Sequence, residues 1–276
     1  MKFLYLVCNQ DQHIEAYLIA KDFIEKVLKL SFKVGVLLTV DKDGSLPRKS
    51  SELDCNEHVI IDNGAYKNKG VAIETSKLKN ILLNVVKKFE NVRIFLPDVI
   101  ENSEETIKQH VKFLKEIPED YWKYCIPVLQ GKEPREYVFC FKKLIETIGT
   151  RKFIENFRLI AIGGLKKKRE LSRQLITALV SRKLYGYKLK IHVFGADLEL
   201  IENCFDIVYS FDTANWTYNS TTGHGISIIT RNYGLGKLYI YHEQRKNYDW
   251  SEILANEIIK YLMVIQLKIL KSKTYL

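Results

Sequence analysis

Three aspartates, a glutamine and a pair of glycines each stand where an apolar run ends. Ile60-Ile61-Asp62, Phe95-Leu96-Pro97-Asp98 and Ser210-Phe211-Asp212 close such runs with a carboxylate. Val128-Leu129-Gln130-Gly131 closes one with an amide, and Ile162-Gly163-Gly164-Leu165 closes one with bare backbone. An unpaired carboxylate costs several kcal/mol to bury, so its place is an open rim where substrate and neighbouring donors satisfy it. A lone aspartate after a strand is ordinarily a cap or turn former. Three at corresponding strand ends argue instead for one cavity. Paired carboxylates there can divide the work of nucleophile and proton carrier.

The elements that would carry these residues alternate. Strand candidates are Phe3–Val7, Val34–Val40, Val59–Asp62, Val92–Asp98, Ile126–Gln130, Phe157–Gly163, Lys190–Gly195 and Asp206–Asp212. Helical periodicity fills most gaps, at Ile14–Leu30, Ser76–Phe89, Ser103–Glu116, Pro134–Ile148, Lys167–Leu184 and Leu198–Cys204. Ser76 reads as a helix cap, the acids after Ser103 suit the first turn of a helix, and Pro134 suits the next start. Asp41–Glu57 is polar and reads as a loop. Strand–helix alternation over eight strands predicts an α/β fold, a single (β/α)8 TIM-like barrel spanning residues 1–276 as one domain. Gly225–Thr230 and Lys237–Tyr241 read as a β-hairpin inserted after strand eight, and Trp250–Leu270 as the C-terminal closing helix. Barrel enzymes place chemistry at the C-terminal ends of strands. Asp206 and Asp212 lie on the same side of strand eight, but Asp212 closes it and is the mouth residue.

Composition narrows the partners. The chain of 276 residues carries a net charge of +10, which favours a polyanion, with nucleic acid first. A lysine-rich composition of the heat-adapted kind is the competing explanation. No apolar run is long enough to span a bilayer, so no membrane partner is expected. The N-terminal apolar stretch turns polar at Asn9, too short for a signal peptide, which predicts an intracellular, cytoplasmic protein. The five cysteines, Cys8, Cys55, Cys125, Cys140 and Cys204, form no CxxC pair; buried reduced thiols are expected, with no metal and no cofactor. His192, inside strand seven, reads as a satisfied core residue.

Taken in order, the segments resemble the tRNA-guanine transglycosylase superfamily and its short DNA-modifying relatives, which insert 7-deazaguanines. "IIDNGAY" resembles the family's aspartate-serine-glycine-glycine segment, and "LPDVIEN" its base-binding aspartate segment. "IPVLQG" and "LIAIGGL" are similar to its glutamine-glycine and glycine-glycine-leucine pair, and "FDTANW" to its nucleophile segment. The likeness covers roughly residues 34–216. It implies a double displacement. Asp212 would attack the sugar C1′ of a flipped nucleotide and expel guanine, and Asp62 would serve as general acid/base. Asp98 would accept from the base's N1 and amino hydrogens. Gln130 and the Gly164 amide would reach its carbonyl oxygen, Leu165 would offer a backbone carbonyl, and Gly163 belongs to the same base-binding set. Chemistry agrees: an oxocarbenium-like transition state wants one carboxylate below the ring and a proton carrier beside the leaving group.

Asn63 stands where the family has serine, and neither the cysteine–histidine zinc module nor an RNA-binding domain is seen. The expected substrates are therefore DNA and a free guanine or 7-deazaguanine base, with tRNA as the alternative nucleic acid. A homodimer is compatible with this reading. Lys132, Arg135, Lys166, Lys167, Lys168 and Arg169 are candidates for backbone contact, the basic run having a phosphate to relieve its conflict with a helix dipole. Trp216, and Tyr218 after it, are candidates for stacking on a base or sugar; packing in the wall competes for Trp216. Three rival functions remain: a reduced tRNA-guanine transglycosylase, a non-catalytic nucleic-acid-binding subunit, and a glycoside hydrolase on a similar barrel.

Overall fold

Strands β1 (Phe3–Cys8), β2 (Lys33–Thr39), β3 (His58–Asp62) and β4 (Asn91–Phe95) are short runs rich in Val, Ile, Leu and Phe, buried on both faces as parallel strands require. A computed structural model describes residues 2–165, 174–176, 187, 189–217 and 250–274. The remaining strands are β5 (Cys125–Ile126), β6 (Val128–Leu129), β7 (Leu159–Ile162), β8 (Lys190–Val193) and β9 (Ser210–Thr213). Their order is β5-β4-β3-β2-β1-β9-β8-β7-β6, and every pairing in this sheet is parallel.

Nine segments make an almost closed α/β barrel because one strand of an eight-strand ring is broken in two. Pro127 separates β5 from β6 and has no N–H to give a ladder. β5 pairs with β4 and β6 with β7, so the ring runs on through the proline. The Pro127 carbonyl still accepts from Ala161 N–H at 2.8 Å. Asp206 lies in an exposed turn rather than in a strand, because β9 begins only at Ser210.

Helices α1 (Asp11–Lys26), α2 (Thr75–Lys88), α3 (Ser103–Glu116), α4 (Pro134–Ile148), α5 (Thr150–Asn156), α6 (Leu198–Cys204) and α7 (Trp250–Thr274) accompany the strands. Ser76 lies inside α2 rather than capping it, because the helix starts at Thr75 after Glu74. α3 is capped by Asn102, whose side chain accepts from the Glu105 N–H. α7 runs beside α1. Ser251 Oγ donates to Glu15 Oε2 at one end (2.9 Å), and Ser31 Oγ to Gln266 Oε1 at the other (3.0 Å). The inserted hairpin and nearly all of the helix expected at Lys167–Leu184 fall outside the described residues.

Two apolar layers follow from strand alternation. The larger lies between sheet and helices, with Leu4, Leu6, Val36, Leu38, Ile61, Ile94, Ile162 and Phe211 from the strands. The smaller is the barrel interior, with Phe3, Tyr5, Leu37, Ile60, Phe95, Ile126, Val128 and Ala161. Asp62, Gln130 and Gly163 each follow one of these interior residues by two positions. They are the next inward positions up their strands, so an apolar floor carries a polar rim. No helix among the described residues is long and apolar enough to cross a membrane.

Candidate active site at the barrel mouth

Asp212 occupies the third position of β9, in register with Tyr5 of β1. The residue is 4% exposed, yet both carboxylate oxygens have partners. Oδ2 lies 3.0 Å from His192 Nε2, and Oδ1 accepts from Gly195 N–H at 2.9 Å. The Asp212 carbonyl also accepts from Ala196 N–H at 2.8 Å. The turn after β8 and the β8 histidine thus clamp the carboxylate from one side. His192 is fully buried, and its Nδ1 is 2.9 Å from Ser210 Oγ. Ring contacts with Tyr5, Phe95 and Phe194 fix the imidazole plane.

Asp98 is buried beyond the end of β4, where its two oxygens are shared between two amides. Asn63 Nδ2 donates to Oδ1 at 2.8 Å and to the Leu96 carbonyl at 2.7 Å. Gln130 Nε2 donates to Oδ2. Burial lifts the Asp98 carboxyl above its ordinary range, and the two amide donors oppose that rise. Asn63 Oδ1 in turn accepts from Ala65 N–H at 3.0 Å, so the amide orientation is fixed at both ends. Gln130 Oε1 accepts from Glu101 N–H at 3.3 Å, and Glu101 holds a left-handed φ of 60°.

Asp62 ends β3 half-buried. Its pKa is pushed up to about 7, first by loss of water and then by the negative charges of Asp212 and Asp98. The Gly64 N–H and the Lys67 ammonium pull the other way. Asp62 therefore lies within the field of the other two acids expected at this cavity. The three differ in surroundings: Asp212 is clamped by the His192 ring nitrogen and the Gly195 N–H, Asp62 is raised to about 7, and Asp98 sits in an amide cradle.

The glycine pair serves the glutamine. A Cβ at Gly163 would fall 2.2 Å from Gln130 Nε2, and one at Gly164 would fall 2.9 Å from Gln130 Oε1. Gly164 also has φ +70, a conformation L side chains rarely adopt. The Gln130 amide lies against this bare backbone. Tyr137 OH donates to the Gly163 carbonyl at 2.8 Å and fixes this turn. Leu165 is buried in the outer apolar layer.

Trp216 corrects the expectation of a stacking platform. It is completely buried, edge-on to His13 at 5.1 Å, and packs in the wall between sheet and helices. A large indole four residues after Asp212 has no face left for a nucleotide. Lys132 and Arg135 are exposed at the start of α4. Lys166, Lys167, Lys168 and Arg169, with Tyr218, lie outside the described residues. Among the described residues no group of three His, Cys, Asp or Glu side chains could hold a metal ion. Cys8, Cys125, Cys140 and Cys204 are buried free thiols and Cys55 is exposed.

Sequence reasoning placed His192 in the core but missed its partner. The signal was strand parity: His192 pairs in register with Ser210, so Asp212 is the next inward residue of the adjacent strand. Asn63 stood out only as a departure from serine, whereas it holds half of Asp98. No protein-family model matches the chain, and no curated protein matches it either.

Proposed function

We propose that the protein is a guanine transglycosylase acting on nucleic acid, exchanging guanine in DNA for a 7-deazaguanine base through a covalent aspartyl-glycosyl intermediate. One observation carries the reading most: two mouth carboxylates stand in different surroundings, one clamped on both oxygens and one desolvated beside other acids. Asp212 is held on both oxygens, by the His192 ring nitrogen and the Gly195 N–H, and Asp62 is raised to about 7. That is the division of labour a double displacement needs.

In the first half-reaction Asp212 forms a bond to C1′, the bond from C1′ to guanine N9 breaks, and its electron pair leaves with the base. Asp62 delivers the proton that neutralises the departing guanine. In the second half-reaction Asp62 takes the proton of the entering base, whose N9 attacks C1′, and the C1′–oxygen electron pair returns to Asp212. The nucleotide must be flipped, which costs least from single strands or distorted duplex.

The base edge is read by Asp98. Guanine N1–H and amino N–H replace the Gln130 amide at the carboxylate, and Gln130 turns to donate to the carbonyl oxygen. Asn63 stays in place and keeps the carboxylate plane fixed. The net charge of +10, with Lys132 and Arg135 beside the mouth, supports a polyanionic substrate. The likeness of "IIDNGAY", "LPDVIEN", "IPVLQG", "LIAIGGL" and "FDTANW" to the transglycosylase segments points the same way.

The test is incubation with labelled guanine and either a guanine-containing single-stranded DNA or unmodified tRNA, followed by counting label in the polymer. Label in DNA is expected. Label in tRNA alone would replace the DNA half of the reading, and label in neither would remove the activity.

A further inference from the structure

We infer that His192 is a positioning residue for Asp212, donating to it through Nε2 and itself locked by Ser210. The kinetic half of this inference rests on the transglycosylase reading; the hydrogen-bond half does not.

A carboxylate only accepts, so in this pairing the Nε2 that lies 3.0 Å from Asp212 Oδ2 carries the hydrogen. In the Nε2–H tautomer Nδ1 is an acceptor, and Ser210 Oγ, 2.9 Å away, donates to it. The chain runs Ser210 O–H to His192 Nδ1, then His192 Nε2–H to Asp212. Every member is at most 4% exposed, so water does not substitute for a link. Tyr5, Phe95 and Phe194 surround the ring at centroid distances of 6.0, 5.2 and 5.4 Å and deny it another rotamer. Gly195 N–H takes the other oxygen, so the carboxylate can neither rotate nor tilt.

The consequence is directional. Each Asp212 oxygen has one lone-pair site occupied by a donor from the β8 side and another free for the mouth. No proton moves along the chain in either half-reaction. The histidine holds the attacking oxygen in line with C1′ and, when the glycosyl ester breaks, receives the returning charge with an N–H already in place. Misplacement of a reacting group by about 1 Å costs about a hundredfold in rate.

Three variants and one spectrum test this. His192→Phe keeps the ring volume and loses both nitrogens; it should lower kcat for labelled-guanine exchange about a hundredfold, with KM for the DNA oligonucleotide unchanged. His192→Gln puts an amide N–H near the Nε2 position and should recover at least tenfold over His192→Phe. Ser210→Ala should fall between wild type and His192→Phe. A packing role alone predicts the reverse order for Phe and Gln, and that order would overturn the inference. The spectrum is a nitrogen–proton correlation of protein carrying 15N-labelled histidine. His192 should show the Nε2–H tautomer, and its signals should move in Asp212→Asn. An Nδ1–H tautomer, or signals indifferent to Asp212→Asn, would overturn the pairing. If wild type exchanges guanine into neither DNA nor tRNA, the function reading fails while the spectrum still decides the His192–Asp212 link.

Discussion

Gly163 and Gln130 are fitted to one another: a methyl group on the glycine would lie 2.2 Å from the glutamine Nε2. The same Nε2 donates to Asp98, so bare backbone just after β7 is what allows an amide just after β6 to reach a carboxylate after β4. Gly163→Ala should push Gln130 off Asp98. Overpacking of this kind costs about 1–3 kcal/mol. The thermal midpoint should fall accordingly, and competition by free guanine should weaken more than binding of DNA. Wild-type guanine competition in Gly163→Ala would take Gln130 out of base selection.

Asp98→Asn replaces two acceptors with one acceptor and one donor. The new NH2 must face Asn63 Nδ2 or Gln130 Nε2, both donors in the present arrangement. Selection of guanine over adenine in exchange reactions should drop by roughly tenfold or more, matching about 1–3 kcal/mol for an unmatched polar group. DNA affinity measured without free base should change little. A selection ratio equal to wild type would place the base elsewhere.

Asp62 ties stability and chemistry to one pH window. Between 3.8 and about 7 the folded protein keeps a proton that the unfolded chain releases, so stability falls as pH rises across that window. Asp62→Asn removes the contribution. Comparing pH 8 with pH 4, the variant should lose less stability than wild type, by about 1–3 kcal/mol. Release of guanine in the first half-reaction needs the protonated acid, so its rate should decline above about 7 in wild type. Parallel stability curves for wild type and variant would mean that Asp62 is an ordinary exposed carboxylate.

His110 gives the opposite slope. It is fully buried on α3 with neither ring nitrogen partnered among the described residues, and burial drops its pKa from 6.5 to about 3. Below 6.5 the unfolded chain takes up a proton that the fold refuses, so stability falls as pH falls toward 3. His13, lowered to about 4 chiefly by burial, acts in the same direction. Denaturant midpoints between pH 7 and pH 4 should drop less in His110→Leu than in wild type. An equal drop would show that His110 gains a partner on protonation.

The barrel was legible because burial on both faces leaves each strand a nearly unbroken apolar run, and each run ended on a residue of a different kind. Asp62, Asp98, Gln130, Gly163 and Asp212 were legible for that reason. Strand ends were harder to place. Pro127 splits one strand without disturbing its apolar pattern, and Asp206 shares parity with Asp212 although it lies in the preceding turn. Contacts between strands were not legible at all. His192 meets Asp212 and Asn63 meets Asp98 across gaps of 20 and 35 positions, set by parallel register and loop path rather than by local pattern. Trp216 misled because an aromatic next to a catalytic candidate looks the same whether it faces the mouth or the helices.

The central claim is that Asp212 becomes glycosylated. Wild-type protein should be incubated with a guanine-containing DNA oligonucleotide in the absence of free base, denatured, and weighed by mass spectrometry, with unmodified tRNA run alongside. The account predicts a mass increase equal to the oligonucleotide less one guanine, mapped to Asp212 and lost in Asp212→Asn, while Asp206→Asn still forms it. Unmodified protein with both nucleic acids, or an adduct that survives Asp212→Asn, would contradict it.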